Sequence, residues 1–170
     1  MSKHDKSRGQ AMVEFALVIP VFLLLMVGLF DFGRVIWVND TLSTAAREAA
    51  RYAIVHGGSA STYCPAGPPA PTAVIPPVTD ANCPYLAPSR QAIKDMAQKW
   101  AAGTSANVTV SVCYGAVTSC TADTDAAGAD DRRGTQVMVT VTSVVKLSIP
   151  SLVGFSGFSL SATSTMLVNH

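Results

Sequence analysis

The chain has 170 residues, with 12 Lys and Arg against 11 Asp and Glu, a net charge of +1 and a charged fraction of only 14%. So even a balance leaves no basic footprint for nucleic acid and no acidic tail, and the length suits one compact domain with an appendage. The hydrophobic fraction is 49% and the mean hydropathy +0.33, and one segment carries much of that excess.

Residues 1–9 are polar and short, and they are expected to lack order. From Ala11 to Phe30 the sequence reads AMVEFALVIPVFLLLMVGLF, apolar except at Glu14 and interrupted only by Pro20. A helix of this length spans about 30 Å, the thickness of a hydrocarbon core. A buried helix of a soluble protein would show a polar residue every third or fourth place, and none occurs from Phe15 to Phe30. Residues 10–30 therefore read as the transmembrane part of a helix in a lipid bilayer. Lys3, Lys6 and Arg8 precede the run and only Arg34 follows it closely, a bias that puts the N-terminus in the cytoplasm and the rest across the membrane. The run ends GLFDFGRV, without the small-residue site of a secretory signal, so the helix is expected to be retained.

The helical pattern continues over 31–57. Val35, Val38, Leu42, Ala45, Ala49 and Tyr52 alternate by three and four, and AAREAARYA has high helix propensity. Gly57 and Gly58 give the stop. One helix from about 11 to 56 is predicted, kinked at Pro20, which frees the carbonyl of Ala16. Ala45, Ala49 and Ala53, with Ala46 and Ala50, permit close backbone approach, and the reading preferred is that they seat the helix on its own sheet.

Residues 58–88 hold eight of the ten prolines and read as an extended loop. Residues 89–103 form a short helix capped by Ser89, striped by Ile93, Met96, Ala97 and Trp100, and ended by Gly103. Three strands follow at 107–114, 135–147 and 158–168. The first alternates Val108, Val110 and Val112 against Thr109, Ser111 and Cys113; the second carries Val137, Val139 and Val141 on one face; the third alternates Phe158, Leu160 and Ala162. All four cysteines follow the apolar run, which points to an oxidising compartment. Candidate bridges are Cys64–Cys83, around the proline-rich loop, and Cys113–Cys120, though four cysteines allow three pairings. The expected fold is α+β: a long N-terminal helix, half membrane and half amphipathic, packed on a small antiparallel sheet of about three strands, with one short extra helix. Residues 89–170 then form an extracytoplasmic domain that shares the 31–57 helix.

Glu14 is the residue that this organisation leaves unexplained, since an acidic side chain within a membrane segment costs free energy unless it is partnered. The stretch GQAMVEF, Gly9 to Phe15, resembles the processing site of type IV pilin-like precursors. The Glu14–Phe15 pair is similar to that of the Flp/Tad branch. AREAARYA at 46–53 and LSATSTM at 160–166 resemble the longer TadE-like pseudopilins of that branch. The resemblance implies cleavage between Gly9 and Gln10 by a membrane prepilin peptidase. It implies that Glu14, the fifth residue of the mature chain, meets the new N-terminal amine of a neighbouring subunit during assembly, beside Phe15. It further implies other pilins or pseudopilins and the inner-membrane pilus assembly platform as partners, and a role in Tad pilus adhesion or related secretion. No cofactor and no catalytic activity are expected.

Other motifs are weaker. Asp123, Asp125 and Gly128 sit where an EF-hand-like loop would want them, but Ala127 and Gly134 occupy positions that need oxygen ligands, so a solvated loop is expected. His4, His56 and His170 are scattered and the cysteines lack zinc spacing, so no metal site is expected. Two other readings stand beside the pilin-like one. One is an uncleaved single-pass membrane protein with an extracytoplasmic binding or scaffolding domain. The other is a membrane-tethered enzyme, for which the sequence offers no catalytic constellation.

Overall fold

The computed structural model describes residues 4–56, 90–104, 107–127, 129, 133–147 and 157–169, with only the backbone described for 4–8. The proline-rich loop, with Cys64 and Cys83, lies outside the described residues, as do Gly57, Gly58, Ser89 and Gly128. The architecture is α+β. Helix α1 runs His4–Val55 and α2 Arg90–Trp100; strands β1 (Val108–Tyr114), β2 (Gln136–Val145) and β3 (Phe158–Leu167) form one sheet in the order β1-β2-β3. The chain divides into two compact units, Met1–Trp37 with Lys146–Phe158, and Val38–Val145 with Ser159–His170.

Helix α1 begins earlier than the apolar run. Residues 4–9, expected to lack order, are helical, because extending an existing helix is cheap compared with nucleating one. The helix continues through Pro20 without a break. Within the first unit the large apolar side chains of the run stay exposed, from Met12 through Leu23, Leu24 and Leu25 to Phe30, whereas Asp31, which follows them, is buried.

From Val38 onward α1 belongs to the second unit and its character changes. Val38, Leu42, Ala45, Ala46, Ala49, Ala50 and Ala53 are fully buried, while Arg47 and Arg51 are exposed. The alanines are thus consumed by packing within this one chain. At the C-terminal end the His56 backbone N–H and ring Nδ1 lie 3.1 and 2.9 Å from the Tyr52 carbonyl, and the two rings stack with centroids 3.9 Å apart. Burial raises the Tyr52 hydroxyl above its ordinary pKa.

Strands β1 and β2 pair antiparallel from Val108 opposite Ser143 to Tyr114 opposite Val137. On the other side of β2, Gly134 N–H donates to the Val168 carbonyl at 2.8 Å and Val168 N–H to the Thr135 carbonyl at 2.9 Å. Further along, the hydroxyls of Thr140 and Thr163 meet at 3.0 Å, so β3 also runs antiparallel to β2. One face of the sheet buries Val110, Val112, Tyr114, Val137, Val139 and Val141.

Three further expectations change. The first strand was expected to be half-buried, with Cys113 on its polar face. Instead Ser111 and Cys113 are buried as well, because the loop after β1 folds back over that face. The stripe of α2 is rotated. Ala92, Ile93, Ala97 and the following Ala101 are buried, Met96 is half-buried and Trp100 is 49% exposed. Small residues let α2 approach its neighbours closely, and the indole is left outside. Gly103 sits at φ 99°, a left-handed turn that ends this segment. In β3, Leu160 and Ala162 are half-buried as alternation requires, but Phe158 is exposed.

Ala49→Leu is predicted to destabilise the second unit by about 1–3 kcal/mol through overpacking. Arg47→Leu, one residue from the same helix turn but exposed, is predicted to change stability by less than about 0.5 kcal/mol. Denaturant midpoints of the detergent-solubilised chain, followed by Tyr and Trp fluorescence, measure both.

Candidate functional site

The residues nominated for processing and assembly all lie on α1. Gly9 and Gln10 are exposed, Glu14 is exposed one turn further on, and Phe15 is 65% exposed beside it. A separation of four residues puts Gln10 and Glu14 on the same side of the helix. Among the described residues no ion pair reaches Glu14. A Cβ added at Gly9 meets no atom within 4 Å, and Gly9 is not among the glycines of positive φ. The fold of the single chain therefore makes no demand for glycine there, although glycine within a helix costs about 1 kcal/mol relative to alanine.

The most apolar stretch of α1 has a mean hydropathy of 2.6 and none of it is buried. This helix is long and apolar enough to cross a membrane. Pro20 removes one backbone donor, so the Ala16 carbonyl lacks its usual partner four residues on.

Cys113 and Cys120 form a disulfide with Cα atoms 5.8 Å apart. With Met138, and with Val117 packed against them, they make a small second core on the face of the sheet opposite the valines. The loop beyond the bridge carries the acidic residues. Asp123 Oδ1 accepts the Val112 N–H at 2.9 Å and Asp125 Oδ1 accepts the Tyr114 N–H at 2.8 Å. The second carboxylate oxygens pair with Lys94 and Arg90 of α2 respectively. Both side chains thus have protein partners, which departs from the solvated loop expected and from an EF-hand-like arrangement alike. Burial alone would raise the Asp123 pKa, but the hydrogen bonds from Lys94 and from the Val112 N–H outweigh it, and its carboxyl titrates below the ordinary value of 3.8. Arg90 and Lys94 were not nominated from the sequence. The one available signal was their four-residue spacing on a helix face, which does not say what they meet.

Residues 9–51 match the family model TadE, described as TadE-like protein. Over that stretch of α1 the chain is similar to TadE-like proteins. The match falls well short of half the chain and ends before the sheet, and it points to an association with a Tad pilus. No curated protein and no solved structure matches the chain.

Because the folded pKa of Asp123 is depressed, its contribution to the protein's stability is complete above its unfolded value and is lost as pH falls through the folded one. Lys94→Gln is predicted to move the Asp123 titration upward, toward 3.8. Carbon-13 NMR of the aspartate carboxyls follows that shift directly; an unmoved titration would contradict the pairing.

Proposed function

We propose that this TadE-like protein is a minor pseudopilin serving a Tad-type pilus. It is inserted with its N-terminus in the cytoplasm and its C-terminal domain outside, in the bacterial inner membrane. A prepilin peptidase trims it after Gly9, and it then joins other pilins or pseudopilins at the inner-membrane assembly platform. In this reading it is a substrate of the peptidase and catalyses nothing itself.

The observation that carries the proposal is the coincidence of the TadE match over 9–51 with a helix whose apolar run is exposed all round and interrupted by an exposed Glu14. Apolar exposure on every side needs lipid or neighbouring apolar helices. An exposed carboxylate in such surroundings needs a cation brought to it. Cleavage after Gly9 supplies one: hydrolysis of the Gly9–Gln10 amide leaves a carboxylate on the leader and an amine on Gln10, protonated near neutral pH. The amine of one subunit and Glu14 of its neighbour attract in a low dielectric, and either alone is penalised. The pair sets axial register between subunits. The glycine at position 9, which the chain's own fold does not require, suits a recognition role at the scissile bond.

One observation favours the uncleaved single-pass reading instead: the Gly9–Gln10 bond lies inside a helix, which must open locally before a peptidase can act on it. Mass spectrometry of the protein from its native membrane separates the two. The pseudopilin reading expects a mature chain beginning at Gln10; an intact chain from Met1 in functional material supports the anchor. Glu14→Ala is expected to be trimmed normally, while its incorporation into pilus material falls about tenfold or more, since it leaves a terminal amine unpaired in an apolar setting. Immunoblotting of sheared pili against the membrane fraction reads that ratio, and wild-type incorporation would contradict the role of Glu14.

A further inference from the structure

The outer edge of β1 is closed in an unusual way. Just after β1 the N–H of Gly115 crosses to the Gln136 carbonyl of β2 at 2.8 Å, so the backbone groups of odd-numbered β1 positions face β2 and those of even-numbered ones face away from the sheet. The outward N–H groups of Val112 and Tyr114 meet carboxylates and not a strand, those of Asp123 and Asp125. Two acceptors spaced two residues apart reproduce the repeat that a neighbouring strand would present. Ala126 N–H returns the favour to the Tyr114 carbonyl at 2.9 Å.

Everything around this loop holds it down. Lys94 and Arg90 neutralise the two carboxylates from α2, and Arg90 also donates to the Asp123 carbonyl at 3.2 Å. Ser111 Oγ donates to the Thr121 carbonyl at 3.1 Å, and the Cys113–Cys120 bridge fixes the start of the segment.

Among the described residues the opposite edge has no such device. Phe158–Leu167 contains neither a charged residue nor a proline, and Ser161, Thr163, Thr165 and Leu167 are exposed along it. The sheet order places β3 at the far edge, with no further described strand beyond it. Long uncharged edges pair with other strands unless something prevents it, and the usual preventives are charge, proline or a cover. Among the described residues the cover is spent on β1 alone. A sheet with one bare edge and one covered edge cannot propagate by edge-to-edge addition while the cover stays shut.

We propose that residues 120–126 are a latch on the edge of β1, and that the strand it excludes is β3 of a second copy of this chain. With the latch lifted, β3 of one molecule adds beside β1 of the next and takes the Val112 and Tyr114 N–H groups now held by Asp123 and Asp125. This inference does not depend on processing at Gly9 or on the role of Glu14.

The test uses the full chain in detergent micelles. In D123A/D125A, amide exchange at Val112 and Tyr114 rises roughly ten- to hundredfold at low protein concentration, as loss of a charge-assisted hydrogen bond requires. As concentration rises, the variant's protein mass by sedimentation grows past that of the wild type measured alongside. S161P, added to that background, removes an outward β3 donor at an exposed position where an edge strand tolerates proline, and it restores the wild-type mass. Unchanged exchange, or faster exchange with the wild-type mass at every concentration, overturns the proposal. Self-association that survives S161P overturns β3 as the occupant. If the double variant loses its circular-dichroism signal, D125A alone, which keeps Asp123 on Val112, is judged by the same outcomes.

Discussion

A helix that leaves its apolar side chains exposed through one half and buries an alanine face through the other has to be solvated by two media. In α1 the change begins at Asp31, which is 7% exposed, and from Val38 onward one face is fully buried. Before that point the helical backbone satisfies its own hydrogen bonds except at the Ala16 carbonyl opposite Pro20, and most side chains ask only for apolar surroundings. After it the same backbone is packed by residues small enough to let its neighbours close in. The proposed function rests on this division. Glu14 matters because it sits in the half without a protein environment, and the compact unit matters because it begins where that half ends.

The second unit solves a different problem with few residues. A sheet of three strands has two faces and two edges, and a small chain has little material to cover them. The valine face is buried in the main core, and the other face is closed by Cys113, Cys120, Met138 and Val117. The segment that brings Cys120 into place continues into Asp123 and Asp125, so one loop covers a face and an edge together. Their charges are tolerable there because Arg90 and Lys94, one helical turn apart, stand against them.

Much of the fold was legible because periodicity speaks plainly when burial is one-sided. The apolar run, the valine alternation of β1 and β2, and the Val38, Leu42, Ala45, Ala49 face each follow from a single repeat. The errors have a common cause. Cys113 and Ser111 looked like the wet side of a strand because nothing local to β1 reveals that residues ten positions later fold back over them. Trp100 looked like a core residue by type, yet Ala92 and Ala101 take the buried places because α2 packs closely. Asp123 and Asp125 read as solvated for the same reason: their cations lie about thirty positions earlier, beyond the reach of any spacing rule. The local motif Gly9–Phe15 was readable as a resemblance, and in the proposed function its partner is an amine that only cleavage would create.

The division of α1 between two media is most directly tested by a nitroxide scan of the helix in lipid bilayers, reading relaxation by oxygen dissolved in the hydrocarbon. From residue 17 to 30 the account predicts high oxygen accessibility at every position, with no helical period. Beyond Val38 it predicts low accessibility to oxygen in the hydrocarbon and a 3.6-residue period in spin-label mobility, with minima on the Leu42, Ala45 and Ala49 face. A clear 3.6-residue period in oxygen accessibility already present between 17 and 30, in the isolated subunit, would mean that this half is packed against protein, and would contradict the account.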